Sequence, residues 1–104
     1  MAAKYRAEGP LCVILLDYVA PLDQVDAQMA AHVGWLEKGF AEGVFLLGGR
    51  QEPRVGGVIV TRGHKAEVEA LAASDPVVTS GVATAKVIAF HASFALPEIA
   101  ALLE

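Results

Sequence analysis

The stretch LCVILLDY, residues 11–18, decides the fold. Its unbroken run from Leu11 to Leu16 places apolar side chains on both faces of a strand, and Asp17 is the first polar residue. Strands of this composition have both faces buried. The run is far shorter than the roughly 18 apolar residues that a membrane-spanning helix requires. The stretch therefore predicts a strand with both of its faces buried.

The rest of the chain alternates between helical and strand periodicity. From residue 22 to residue 40, apolar side chains recur every three or four positions, which predicts one helix that begins after Pro21. Two strands follow, at 44–49 and 58–62. A second helix starts at residue 64 and ends at Asp75-Pro76, because the residue before a proline avoids the helical region. A long fourth strand covers 82–94. The stripe of the first helix consists of Leu22, Val25, Met29, Val33, Leu36 and Phe40.

The order β-α-β-β-α-β predicts an α+β fold, the ferredoxin-like sandwich. In this fold two helices cover one face of an antiparallel four-stranded sheet. One chain of this size has nothing left to cover the second apolar face, whereas two sheets packed face to face would cover both. We therefore expect a two-fold symmetric homodimer with a joint, barrel-like core. The sequence is also compatible with a tetramer built from two such dimers.

Composition agrees with self-association and excludes several classes of partner. The chain has 104 residues, enough for one domain, and 55% of them are apolar, with a mean hydropathy of +0.48. That is more apolar surface than a lone small domain buries. The formal net charge is −4 and no Lys/Arg cluster is present, which argues against nucleic acid and against a membrane surface as partners.

The two ends of the chain carry weaker signals. Residues 1–10 show no pattern, so we expect a flexible N-terminus, followed by one domain over 11–96 and a short helix over 97–104. The apolar run that follows the N-terminus is too short for a secretory signal and is interrupted by a charge, so we expect a cytoplasmic protein. Cys12 is a single cysteine inside an apolar strand, which favours a buried hydrophobic side chain over a nucleophile.

One histidine lies on the apolar side of the first predicted helix. His32 comes three residues after Met29 and four before Leu36, so its side chain faces the sheet. It is either a core histidine with both ring nitrogens satisfied or a general base, since histidine changes its charge near neutral pH. Asp75 has two explanations as well: it caps the turn before a proline, or it orients the histidine.

Several short motifs, in this order and with this spacing, resemble the YCII-related (YciI-like) family. The likeness runs from about residue 11 to residue 90 and includes an acid that ends the first strand. No single motif is specific, but the ordered set is. The motifs are AAHVGWL (30–36), LLGG (46–49), SDPVVTSGV (74–82) and KVIAF (86–90).

This resemblance implies a dimeric α+β barrel, similar in fold to muconolactone isomerases. It also implies a cleft in which His32 meets Asp75, and members of the family include a dehydrochlorinase of a chlorinated hydroxyquinol that uses such a pair. The chain departs from the family pattern at Met29, where the family often has arginine. It departs again at Arg50, where the family often has proline, and Arg50 is a candidate for the displaced positive charge.

Together these features predict a cofactor-free enzyme without a metal. His32 and Asp75 would carry acid/base chemistry, an elimination such as dehydrochlorination or an isomerisation, on a small cyclic or aromatic molecule. The alternatives are a non-catalytic homodimer that binds a small ligand or acts as an accessory protein, and a dimer that is a part of a larger assembly. The candidate substrate contacts are Asp17, Gly48, Arg50 and Ser80.

Overall fold

The computed structural model of the protein describes residues 3–4 and 10–104. The predicted flexible segment, residues 1–10, lies mostly outside the described residues. No helix in the described part of the chain is long and apolar enough to cross a membrane. In chain order the elements are β1 (Ala3–Lys4), β2 (Leu11–Tyr18), α1 (Leu22–Ala27), α2 (Met29–Ala41), β3 (Phe45–Arg50), β4 (Gly56–Arg62), α3 (Lys65–Ala73), α4 (Pro76–Thr79), β5 (Ala83–Phe90), β6 (Phe94–Ala95) and α5 (Pro97–Leu103).

Four of the strands form one antiparallel sheet in the order β3-β4-β2-β5. The strand predicted from LCVILLDY, β2, is an inner strand of this sheet, with Val13 opposite Val60 on one side and Ile88 on the other. The predicted α+β class and the antiparallel four-stranded sheet are therefore confirmed. A second, two-residue pairing joins β1 to β6.

The helices α1 to α4 cover one face of this sheet, and the core lies between them and the sheet. Cys12, Ile14 and Leu16 alternate along β2 and point into it, and each is almost completely buried. Helix α3 contributes Val68, and α1 contributes Val25. The remaining buried members of the cluster are Phe45, Ile59, Ala72, Val77, Val82, Ala83 and Val87.

The opposite face of the sheet is apolar and only partly covered. Val13 and Leu15 alternate to this side of β2 and are half-buried, while Leu47 of β3 is 63% exposed and Ile88 of β5 is 43% exposed. At one end of this face, Arg62 donates a hydrogen bond to the carbonyl of Leu102 in α5, at 2.9 Å. The face that the sequence analysis assigned to a second copy is thus open along both edge strands, β3 and β5.

Two elements differ from the sequence prediction. The helix predicted over 22–40 is two helices, because the α-helical hydrogen-bond pattern is interrupted at Gln28. The Gln28 N–H donates to the carbonyl of Val25, three residues back, at 3.0 Å. The long fourth strand predicted to reach residue 94 ends at Phe90, and the chain then turns away to pair β6 with β1. Neither break has a glycine or proline that would have marked it in the sequence.

Gly39 is required by the packing of α2 on the sheet. A Cβ at this position would overlap the ring of Phe45, whereas one at Gly34, in the same helix, would meet nothing within 4 Å. We predict that Gly39→Ala lowers the free energy of unfolding by about 1–3 kcal/mol through overpacking. Gly34→Ala, the matched control, should raise it by about 0.5–1 kcal/mol because alanine is the better helix former. Urea denaturation of both variants tests this, and equal effects would contradict it.

Candidate functional site

A cavity of about 370 Å³ lies between α2 and the sheet. One wall is the side of α2 formed by Met29, His32, Val33, Leu36 and Phe40. Most of these residues belong to the stripe that the helical spacing identified. The stripe is not closed core, however, since Val33 is 41% exposed and Phe40 is 43% exposed. Side chains that the sequence pattern indicated as core therefore surround a space large enough for a small molecule.

The floor of the cavity is open because two glycines lie beneath α2. Gly48 of β3 is paired with Ile59 of β4, and Gly57 of β4 is paired with Leu16 of β2. Ile59 and Leu16 face the helices, and paired residues share a face of the sheet, so both glycines present bare backbone to the cavity. Larger residues at these two positions would occupy the space that α2 leaves.

His32 and Asp75 are in direct contact at the edge of this cavity. The His32 Nδ1 and Asp75 Oδ1 atoms are 2.8 Å apart. An ionised carboxylate only accepts hydrogen bonds, so Nδ1 carries the hydrogen and donates it, and in the neutral ring Nε2 then has the free lone pair. His32 lines the cavity and Asp75 is completely buried behind it. This arrangement can accept a proton from a bound molecule and stabilise the imidazolium that forms.

The Asp75 carboxylate is also the N-cap of α4. Its Oδ1 accepts a hydrogen bond from the backbone N–H of Val77 at 3.1 Å as well as the bond from His32. Its Oδ2 is buried and has no hydrogen-bond partner among the described residues. A buried carboxylate with one oxygen unsatisfied is costly, and the cost falls when a positive charge stands next to it. The His32 imidazole is the side chain that lies next to this carboxylate.

Trp35 fixes the position of the His32 ring. The two rings are stacked, with centroids 5.9 Å apart and planes inclined by 23°, and the Trp35 ring also contacts the Phe45 ring, whose centroid is 4.8 Å away. The indole Nε1 donates to Ser74 Oγ at 3.0 Å, and Ser74 Oγ donates to the carbonyl of Leu71 at 2.6 Å. The imidazole is thus held on one side by a carboxylate and on its face by an indole that is itself hydrogen-bonded.

Two arginines and a tyrosine form the rim of the cavity. Arg50 ends β3, and Arg54 lies in the loop between β3 and β4. The Arg54 Nη2 atom is 2.5 Å from Asp26 Oδ1 of α1, and its guanidinium carbon lies 5.8 Å from the centre of the Tyr18 ring. The hydrogen bond with Asp26 raises the pKa of Arg54 further above its usual value.

The structure brings together four of the six candidate site residues. His32, Gly48 and Arg50 line the cavity, and Asp75 contacts His32. Asp17 follows Leu16 on β2, so its exposed side chain points to the opposite face of the sheet. Ser80 is the C-cap of α4, where its hydroxyl donates to the carbonyl of Val77 at 3.5 Å. Neither of these last two residues lines the cavity.

The sequence analysis missed Tyr18 and Arg54 and gave Trp35 no role in holding the histidine. Arg54 is in a short loop without periodicity, so no pattern connects it to Asp26, 28 positions earlier. Cys12 lies outside the cavity, and its Sγ contacts the carbonyl of Gly63 at 3.4 Å. Burial raises the pKa of this thiol, which keeps it protonated. Across residues 3–4 and 10–104, no three His, Cys, Asp or Glu side chains are grouped to hold a metal ion.

Comparison with known proteins agrees with this architecture. A solved structure similar to this chain is the 5-chloro-2-hydroxyhydroquinone dehydrochlorinase (TftG) from Burkholderia phenoliruptrix AC1100, in complex with 2,5-dihydroxybenzoquinone. The two share a fold with a TM-score of 0.64 and 20% sequence identity, over 75% of this chain and 90% of that chain. A search of curated proteins finds no match. The model of the YCII-related domain matches residues 10–91, and the chain therefore belongs to the YCII-related family.

Proposed function

We propose that the protein is a cofactor-free enzyme that uses His32 as a general base and Asp75 to orient it. The observation that carries this proposal is the 2.8 Å contact between His32 Nδ1 and Asp75 Oδ1 at the edge of a small cavity. The contact leaves Nε2 for a substrate, and a buried carboxylate supports the charge that the ring acquires. A histidine that served packing alone would not require an open cavity beside it.

The proposed substrate is a small cyclic or aromatic molecule, and the proposed reaction is an elimination or an isomerisation. The cavity volume suits a single ring, and most of its wall is apolar. The structural neighbour acts on 5-chloro-2-hydroxyhydroquinone, which makes this compound the first one to test. In such a dehydrochlorination the base takes a proton and chloride leaves with the electron pair of the C–Cl bond. The ring then becomes a quinone without an external oxidant.

The active form in this proposal is a homodimer in the cytoplasm, joined through the open face of the sheet. Support comes from the apolar side chains on that face, among them Val13, Leu47 and Ile88. Isolated apolar side chains at a surface are ordinary, but a contiguous patch on one side of a sheet is typical of an interface. A second sheet packed against it would complete a dimeric α+β barrel.

Removal of the base should abolish the reaction without unfolding the protein. We expect His32→Ala to lower kcat for chloride release from 5-chloro-2-hydroxyhydroquinone by about 10²- to 10⁴-fold. His91→Ala is the control, because His91 is exposed and does not line the cavity. Full activity in His32→Ala would exclude the base. Binding without turnover in the unaltered protein would favour the alternative, a ligand-binding module.

Replacement of the orienting carboxylate has a readout that does not depend on turnover. Asp75→Asn keeps an oxygen to cap Val77 N–H but offers His32 an amide that also donates. We expect the ¹⁵N spectrum of His32 to change from the Nδ1–H form toward the Nε2–H form, together with a loss of kcat similar to that of the base variant. An unchanged tautomer would show that the carboxylate does not orient the ring.

Filling the glycine floor should block the site while the sheet stays intact. A Cβ at Gly57 would meet only ordinary contacts, with Gly49 O at 3.5 Å and Leu16 Cδ1 at 3.7 Å. We expect Gly57→Val to fold, since valine suits a strand, and to raise KM or abolish binding by occupying the cavity. Melting temperature and ligand titration are measured on the same samples. Unaltered binding in a folded variant would place the substrate elsewhere.

A lysine placed on the open face of the sheet tests whether this face is the dimer interface. Ile88→Lys should weaken the dimer at least about a hundredfold, because each of two symmetry-related copies would bury an ammonium group at a cost of several kcal/mol. Ala70→Lys places the same charge on an exposed position of α3 and is the control. Sedimentation velocity over a dilution series measures both variants. A dimer unaffected by Ile88→Lys would have a different interface.

A further inference from the structure

The cavity has the opposite charge to the protein as a whole. The chain has 12 acidic and 8 basic residues, with a formal net charge of −4. Yet the charged side chains that line the cavity are Arg50 and Arg54, with the titratable His32, and no carboxylate is among the lining residues that the structure describes. The acids nearest to these groups are counterions behind them, Asp26 for Arg54 and Asp75 for His32. Because the protein as a whole is acidic, its composition does not explain a positively charged cavity, and this charge would favour an anionic ligand.

The two arginines differ in the contacts that their guanidinium groups make. Arg54 is fixed by Asp26 and by the face of the Tyr18 ring, so part of its charge is already compensated. Arg50 is exposed at the end of β3, and within the described part of the chain its guanidinium makes no ion pair and no hydrogen bond. Its donors are therefore available to a ligand, while Arg54 supplies a pre-positioned positive charge nearby.

We propose that this cavity binds a ring-shaped anion, whose carboxylate or other ring-borne oxyanion is held by Arg50 and, to a lesser degree, by Arg54. The proposal rests on the proposed function, because it takes the same cavity to be the substrate site. A guanidinium presents parallel N–H donors that match two oxygens of a carboxylate, which gives both affinity and orientation. The apolar wall of α2, with Val33, Leu36 and Phe40, is left for the ring itself.

The first test compares benzoate with benzamide, which have the same ring and nearly the same shape but differ in charge. Trp35 is the single tryptophan of the chain and stacks on His32, so its fluorescence reports occupancy of the cavity. Isothermal titration calorimetry gives an independent value for each ligand. We expect benzoate to bind at least about tenfold more tightly, and only its affinity to fall as salt is added, because salt screens the attraction between charges.

Variants of the rim separate the two arginines. Arg50→Gln should weaken benzoate binding about tenfold or more and leave benzamide binding unchanged. Asp26→Asn should strengthen benzoate binding, because it releases Arg54 from its counterion. Lys65→Gln makes the same change in net charge as Arg50→Gln at an exposed position on α3, outside the cavity, and should have no effect.

Two results would overturn the inference, and a third would remove the part of it that concerns Arg54. The first is equal affinity for benzoate and benzamide, or no binding of benzoate up to about 10 mM, where an interaction is weaker than about 3 kcal/mol. The second is an Arg50→Gln variant that binds benzoate as Lys65→Gln does. The third, unchanged or weaker binding in Asp26→Asn, would remove the role of Arg54. These measurements need no turnover, so an absence of catalysis would overturn the proposed function and leave the anion site standing.

Discussion

The hydrogen bond between His32 Nδ1 and Asp75 Oδ1 joins two segments on the helical side of the molecule that are 43 positions apart. It connects α2 to the start of α4, and the same oxygen caps α4 by accepting from Val77. A carboxylate with no exposed surface requires such partners, because an isolated charge in the interior is costly. The residue that we propose to orient the base thus also caps α4 and connects it to α2. Loss of activity alone would not separate these two roles.

The cavity beside this hydrogen bond exists because two residues of the sheet beneath α2 have no side chain. Gly48 and Gly57 present no side chains to α2, whereas Leu16 and Ile59 on the same face are buried in the core. The helix cannot move closer to fill the gap, since Gly39 already lets it approach the Phe45 ring as nearly as the chain allows. The close contact of α2 with Phe45 therefore limits how far the helix can move toward the sheet and into the cavity.

The sequence predicted the order of elements well and the site only in part. Strand and helix periodicities gave the β-α-β-β-α-β order, because burial imposes a period of two or of about 3.6 residues along the chain. The pairing of His32 with Asp75 came from a family resemblance, since nothing in the spacing brings residues from two helical segments together. Arg54 was missed because its partner, Asp26, is set by the path of a loop, and loops have no periodicity.

Apolar residues make up 55% of the chain, and exposed ones lie on two opposite faces of the sheet. One part of them, including Val33 and Phe40, surrounds the cavity on the helical face. Only the part on the other face, such as Leu47 and Ile88, argues for a second copy. Composition alone therefore overstates the case for a dimer. The argument for self-association rests on the open face of the sheet, where apolar side chains are adjacent.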